Sequence, residues 1–318
     1  MTHTDFPQPS PPIQRLIVGT HSLSDTSEGR KRLDQAFELG LNTFDTARIY
    51  GNGESERCLG HWIRERSLQG RVTVITKGGY PARGMTRLTP HDLREDVEAS
   101  LRSLQLDCID IFLLHRDNKK TDVGAIITTL NELQAEQKLR AFGVSNWRSD
   151  RIACAQEFAR QRGLESFQFS SLHFSLAEWV RTPWPGCLSL AGQGNSQERS
   201  WYTRNRLPVF AWSALASGFF SESLGACNGA EIKRFRDHVY GSPANRERRR
   251  RAQMAAKARN LSVAQIALAF VLNQPLDTYA LVSSSDAAHL AEDARAAEIW
   301  LAQDELNWLN LEQNDVSL

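Results

Sequence analysis

The sequence predicts an α/β fold, a closed (β/α)8 TIM barrel. Three observations carry that prediction. Apolar strand-like runs and amphipathic helix-like runs alternate about eight times, the pattern of a parallel sheet with crossover helices. No change of composition marks a border between domains, so residues 13–318 read as one barrel behind a polar, proline-rich tail, residues 1–12, expected to be disordered. Polar residues also end one apolar run after another: Asp45, Lys77, His115, Ser145, Asn146, Ser171, Ser213 and Ser283. An open doubly wound sheet would spread such ends along a row; a barrel gathers them at one face.

The elements follow in order. Leu16–Thr20 reads as a buried strand, then a loop with His21 and a helix over Ser27–Leu39 closed by Gly40. Asn42–Thr46 is a short strand carrying Asp45; Tyr50 and the turn Gly51-Asn52-Gly53 lead into a helix with Glu54 and Glu56 in its first turn, where the helix dipole favours acids. Val72–Thr76 is β-branched and ends at Lys77. Thr89-Pro90-His91-Asp92 reads as a helix cap with proline at the first helical position. Ile109–Leu114 ends at His115, and a helix over Val123–Lys138 precedes a strand Arg140–Val144 that delivers Ser145-Asn146. A helix over Asp150–Arg162 and a strand over Phe167–Ser171 follow. Phe174–Arg204 is rich in Pro, Gly, Ser and Trp and is too long for a plain connection, which marks it as a functional loop. Leu207–Trp212 resumes the strand pattern, Ser262–Gln265 reads as a capping box, and Tyr279–Val282 is the last strand, followed by helices over Asp286–Ala297 and Asp304–Leu311.

Composition narrows the partners. A net charge of +1 gives no field for nucleic acid or an anionic membrane. The basic run Arg246, Arg248–Arg251 is the local exception, and within a helix it reads as a solvated face rather than a phosphate patch. Cys58, Cys108, Cys154, Cys187 and Cys227 are scattered without a CxxC pair, which excludes a disulfide framework and a structural zinc site and suits a reducing, cytoplasmic compartment. No apolar run reaches the roughly 18 residues of a membrane span. The expected partner is therefore a small molecule.

Asp45, Tyr50, Lys77 and His115 form a combination with a definite chemistry. A phenol titrates at about 10 and is a poor acid at neutral pH. An ammonium nearby stabilises phenolate and lowers that pKa, while a carboxylate keeps the ammonium charged and in place. A histidine orients the reacting oxygen or relays a proton. Such a set suits protonation of the alkoxide formed when a carbonyl accepts hydride, and nothing in it can deliver the hydride, which implies a nicotinamide cofactor.

The motifs NTFDTARIYGNGESERCLG, VITKGG, DIFLLHRD, FGVSNW, FAWSALASG and SVAQIALAFVL, in this order, resemble those of the aldo-keto reductase family over about Arg15–Leu311. The resemblance implies a barrel that binds NADP(H) or NAD(H) without a Rossmann fold. Its tetrad corresponds to Asp45, Tyr50, Lys77 and His115, with Tyr50 as general acid. Ser145 and Asn146 match the pair that holds the nicotinamide carboxamide, Trp212 the aromatic that stacks on the ring, and Ser213, Leu215, Ser217 and Gly218 the loop around the pyrophosphate. The family's sixth-strand glutamine is replaced by Ser171, or by Gln168 in a shifted register. At the last strand the usual basic grip on the adenosine phosphate is replaced by Ser283-Ser284-Ser285-Asp286, so NAD(H) is a candidate beside NADP(H); Ser283, Ser285, His289 and Asp293 line the adenosine end. An acid at 286 would repel a 2′-phosphate and could accept hydrogen bonds from a ribose diol. The expected activity is reduction of an aldehyde or ketone. A sugar or polyol dehydrogenase, or a nucleotide-binding regulatory subunit, are the alternatives.

Overall fold

Eight strands follow one another around a closed parallel barrel in sequence order. The computed structural model describes residues 11–81, 86–221, 229–284 and 286–316. Residues 1–10 of the expected tail, Cys227 and Ser285 lie outside the described residues. By internal contact the chain groups into the units Met1–Ser170 and Ser171–Leu318.

The first unit runs β1 (Leu16–Gly19), α1 (Ser27–Glu38), β2 (Thr43–Asp45), α2 (Glu54–Glu65), β3 (Thr73–Gly78), α3 (Pro90–Leu104), β4 (Ile109–Leu114), α4 (Val123–Ala135), β5 (Leu139–Ser145) and α5 (Ser149–Arg162), and ends within β6 (Phe169–His173). Its strands are aliphatic on both faces because helices cover the outside and side chains fill the inside; Ile75, Ile111, Phe112 and Leu113 are fully buried. Helix starts are set by side-chain caps: Thr26 on the Gly29 N–H, Asp122 on the Ala125 N–H, and a full capping box between Thr89 and Asp92 with Pro90 beside it. Near the chain start, the Pro11 carbonyl accepts a hydrogen bond from Thr73 Oγ1 at 2.7 Å.

Strand register places the candidate residues. Asp45 lies opposite Ile75, and Lys77 lies opposite Leu113. Side chains alternate along a strand. Asp45, Lys77 and His115 therefore share one face of the sheet, at successive strand ends.

The second unit, completing β6, contains α6 (Ser196–Asn205), β7 (Val209–Trp212), α7 (Gly229–Tyr240), α8 (Pro243–Arg259), α9 (Val263–Leu272), β8 (Thr278–Val282), α10 (Ala287–Arg295) and α11 (Gln303–Leu309). Helix α9 opens with the Ser262–Gln265 capping box and is buried at every residue but Ala264. Three sequence expectations change here. β6 starts at Phe169 rather than Phe167, whose ring packs instead on Phe142 and Trp147. The segment expected to be one long loop holds a parallel bridge from His173 to Ser189 and then α6, a polar helix with Tyr202 as its buried residue. Its weak apolar signal hid the helix. The basic run is also only partly a solvated face. Arg248 and Arg251 are buried; Arg248 pairs with Glu178, and Arg251 donates to the Trp308 and Gln313 carbonyls.

Candidate active site

The loop after β2 is built to present Tyr50. Gly51, Asn52 and Gly53 all have left-handed backbones, with φ of 55°, 52° and 86°. Glycine meets that demand at no steric cost, which fixes the sharp turn between Tyr50 and α2. The turn leaves Tyr50 half-buried, with its hydroxyl 3.4 Å from Lys77 Nζ. The same ammonium donates to Asp45 Oδ2 at 2.6 Å and to the Thr46 carbonyl at 2.9 Å. The three protons of Nζ therefore each have an acceptor.

Burial and charge compete at every member of this group. Burial raises the Asp45 pKa, against the pull of Lys77. Burial disfavours the charged form of Lys77, but Asp45 and Tyr50 outweigh it and its pKa stands above the usual lysine value. Burial also raises the Tyr50 pKa more than Lys77 lowers it. The expected net lowering of the phenol is thus corrected: Lys77 limits a rise. His115 is buried, and burial followed by Lys77, Arg116 and His21 holds its pKa well below the ordinary value. It is neutral at physiological pH, and its buried Nδ1 has no hydrogen-bond partner among the described residues. That state suits orientation of an oxygen rather than storage of a proton.

Two further layers hold these groups. Thr20 Oγ1 donates to the Asp45 carbonyl at 3.0 Å, and Ser55 Oγ lies 2.6 Å from Thr20 Oγ1 and 2.9 Å from Thr46 Oγ1. This buried hydroxyl cluster ties the ends of β1 and β2 to the start of α2. Below it, Glu56 accepts from Thr76 Oγ1 at 2.7 Å, and Arg48 pairs weakly with Glu56 and Asp96 at 3.7 and 3.9 Å. Glu56 is therefore a buried linker and not merely a first-turn acid facing the dipole. Asp96 in turn accepts the Gly79 N–H at 2.8 Å, which fixes the chain just beyond Lys77.

Sequence reasoning missed two rings in this group. His21 packs edge-on against Tyr50 with centroids 4.7 Å apart, and Tyr80 packs likewise on His115 at 5.1 Å. Burial, then Lys77, lower the His21 pKa, while Asp45 opposes them. His21 stands two residues past β1, so the strand-end rule used for Asp45 and Lys77 applied to it as well. At the end of β5, Asn146 has φ 59° and its amide donates to Ser145 Oγ at 2.9 Å.

The second unit carries its own cluster. His173, at the end of β6, is fully buried, with Nδ1 2.7 Å from Ser189 Oγ and Nε2 3.2 Å from the Tyr240 hydroxyl. Trp179 stacks on His173 at 4.3 Å and donates to the Tyr240 hydroxyl at 3.4 Å. Burial alone brings the His173 pKa down to about 3. Burial pushes the Tyr240 hydroxyl up to about 12, against hydrogen bonding with Trp179, Ser217 and Ser213. Trp212 ends β7 among His173, Trp179 and Trp184, at 5.2, 5.6 and 6.1 Å.

The loop beyond Trp212 winds through left-handed residues Ser213, Ala216, Ser217 and Gly218. Leu215 lies within it and accepts the Gly218 N–H at 3.1 Å. Ser171 is buried in β6 with a hydroxyl that has no partner among the described residues, whereas Gln168 precedes that strand and accepts the Phe142 N–H. The β6 bounds therefore favour Ser171 over Gln168 as the residue nearer the strand's C-terminal end.

Of the aromatics expected in the long loop, Phe174 packs in the core on Phe270 and Trp201 sits in α6 on Tyr202; Trp184 meets Trp212 and Phe235. At the end of β8, Ser283 is exposed. Asp286 caps α10, accepting the Ala288 and His289 N–H groups at 2.8 and 3.4 Å. Its carboxylate is thus engaged with its own helix. His289 is exposed, while Asp293 is buried.

Within the second unit, Ser171 Oγ and Trp212 Nε1 are buried without hydrogen-bond partners among the described residues. A family model described as the aldo/keto reductase family matches residues 15–310. The chain is 27% identical to a norsolorinic acid reductase of Aspergillus flavus over 92% of its own length and 76% of the relative's. A thermostable aldo-keto reductase crystallised with the inhibitor epalrestat superposes with a TM-score of 0.73 at 20% identity, covering 94% of this chain and 95% of that one. An aldo/keto reductase from Klebsiella pneumoniae in complex with NADP and acetate gives 0.70 at 23%, covering 94% and 91%.

Proposed function

This chain belongs to the aldo/keto reductase family, and on that premise we propose that it reduces an aldehyde or ketone with Tyr50 as the proton donor. The family consists of NAD(P)-dependent oxidoreductases of carbonyl and alcohol groups. A nicotinamide nucleotide, when bound, supplies the hydride. The observation that carries the Tyr50 role is the Lys77 ammonium, bonded to Asp45 at 2.6 Å and to the Tyr50 hydroxyl at 3.4 Å.

In this reading the phenol stays protonated until charge develops on the substrate oxygen, and then gives up its proton as Lys77 stabilises the phenolate left behind. Asp45 keeps Lys77 charged and fixed. Neutral His115 orients the substrate oxygen. For the nucleotide we assign Ser145 and Asn146 to the carboxamide with Ser171 beside them, Trp212 to the ring, and Ser213, Leu215, Ser217 and Gly218 to the pyrophosphate. Ser283, Ser285, His289 and Asp293 are assigned to the adenosine. Because Asp286 already fills the α10 N-terminus with negative charge, we expect this end to give NADP(H) no advantage over NAD(H).

The test is purified protein with NADPH or NADH and a panel of aldehydes and ketones, followed by nicotinamide absorbance. Turnover is expected with either nucleotide. No turnover across the panel, with nucleotide binding intact, would sink the reductase reading; a strong preference for NADPH would overturn the part given to Asp286.

A further inference from the structure

The basic run on α8 divides by helix face, and the division leaves two arginines unexplained. Arg248 and Arg251 point inward to Glu178 and to backbone carbonyls, and Arg250 pairs with Glu247 on the surface. Arg246 and Arg249, three apart and on a common face, have no carboxylate within ion-pair distance among the described residues. Both instead line a cavity of about 290 Å³ with Phe219, Arg236 and Gln253.

Arg236, from α7, is 8% exposed, and its guanidinium makes a long 3.4 Å bond to the Gly218 carbonyl. Arg249 lies over the Phe219 ring at 5.9 Å, and its Nε is buried without a hydrogen-bond partner among the described residues. Asp237 is the acid in the lining, and it pairs with none of the three within 4 Å among the described residues. Gly241 forms another part of the wall; a Cβ there would stand 2.2 Å from the Asp237 carbonyl oxygen, so glycine is needed where the chain leaves α7.

Arg236 is buried, Arg249 half-buried and Arg246 exposed at the rim; gathering their like charges around one cavity is costly without a counter-charge. The planar forks of arginine match phosphate oxygens two at a time. We propose that this cavity is a binding site for a phosphate-class anion, held by Arg236, Arg246 and Arg249. A cleft of this size accommodates an inorganic phosphate, a small phosphate ester or the phosphate end of a larger ligand. The site adjoins Gly218, so one source of that phosphate is the 2′-phosphate of NADPH and the other is a free phosphorylated molecule.

The test is calorimetric titration of the full chain with inorganic phosphate at constant ionic strength. It compares the wild type, the double variant Arg246→Gln with Arg249→Gln, and Arg250→Gln as a charge-matched surface control. Phosphate is expected to bind the wild type and Arg250→Gln alike, and the double variant at least about tenfold more weakly, as for loss of one charge-assisted contact. Equal phosphate affinity in the wild type and the double variant, or no binding to the wild type, would overturn the site. Melting temperatures without phosphate verify that the double variant is folded.

A second arm measures NADPH and NADH affinity by quenching of tryptophan fluorescence. Loss of NADPH affinity alone in the double variant, with phosphate competing in the wild type, identifies the 2′-phosphate as the occupant. Unchanged NADPH affinity beside lost phosphate binding identifies a free anion. The phosphate arm reads binding only, so it stands or falls separately from the role given to Tyr50.

Discussion

His115 and Tyr50 in the first unit have counterparts in the second, His173 and Tyr240. Both histidines end barrel strands, both are buried, and both have pKa values driven down by burial. The surroundings differ. Lys77 stands 3.4 Å from the Tyr50 hydroxyl with Asp45 behind it, whereas the Tyr240 hydroxyl meets Trp179, His173 and serine hydroxyls, all neutral. On the role proposed for Tyr50, a tyrosine beside a histidine is not enough for acid catalysis. The phenolate needs a fixed cation, and a buried cation needs a carboxylate. The second pair has the hydrogen bonds of a structural joint linking β6, the loop with Trp179 and the loop after Trp212.

The largest expected effect breaks or upholds that contrast directly. Tyr50→Phe and Tyr240→Phe delete the same atom. The first should lower kcat by about 10²–10⁴-fold, the range of a lost general acid, with nucleotide affinity nearly unchanged. The second should leave kcat close to wild type and act on nucleotide KM, because it loosens the Ser213–Gly218 loop. Equal losses of kcat would mean that the two pairs are not different in kind. Steady-state kinetics with saturating carbonyl decide it.

Next in size is the cation. Lys77→Met leaves the Asp45 carboxylate buried without its partner, which should destabilise the fold by about 3–5 kcal/mol. Adding Asp45→Asn should restore much of that loss without restoring turnover. Urea unfolding of both variants checks it, and a double variant no more stable than Lys77→Met would show that the pair is not the source of the cost.

The neutral pair should cost less. Tyr240→Phe removes the hydroxyl from His173 Nε2 and Trp179 Nε1, and should lower stability by about 1–3 kcal/mol. A loss as large as that of Lys77→Met would indicate a hidden charge in the second cluster.

The two clusters also differ in how far the sequence disclosed them. Asp45, Lys77 and His115 were legible because each closes a strong apolar run, and alternation along the strand put all three on one face. His173 was not, because β6 has a weak pattern whose Phe167 signal belongs to packing on Trp147. Tyr240 comes from α7, a helix that carries none of the motifs, and its tie to His173 spans 67 residues. The direction of the Tyr50 shift was misjudged for a related reason. Sequence spacing reveals the neighbouring charge, but burial, which here outweighs it, is a property of the folded chain.

Asp293 offers the finest test of the same idea, since it is a buried carboxylate with no cation within ion-pair distance among the described residues. Burial, with a smaller push from Glu292, raises its pKa from 3.8 to about 7. A carboxyl whose folded pKa exceeds its unfolded value contributes stability that is fully present below the unfolded pKa and is lost as pH rises through the folded one. The wild type should therefore lose about 1.4 kcal/mol from this group between about pH 6 and pH 8. Asp293→Asn should lack that component, so the variant gains on the wild type as pH rises and the two converge near pH 4. Melting temperatures of both proteins across this range measure it. Parallel curves would place the Asp293 charge in solvent and remove the contrast with Asp45, whose burial is matched by Lys77 at 2.6 Å.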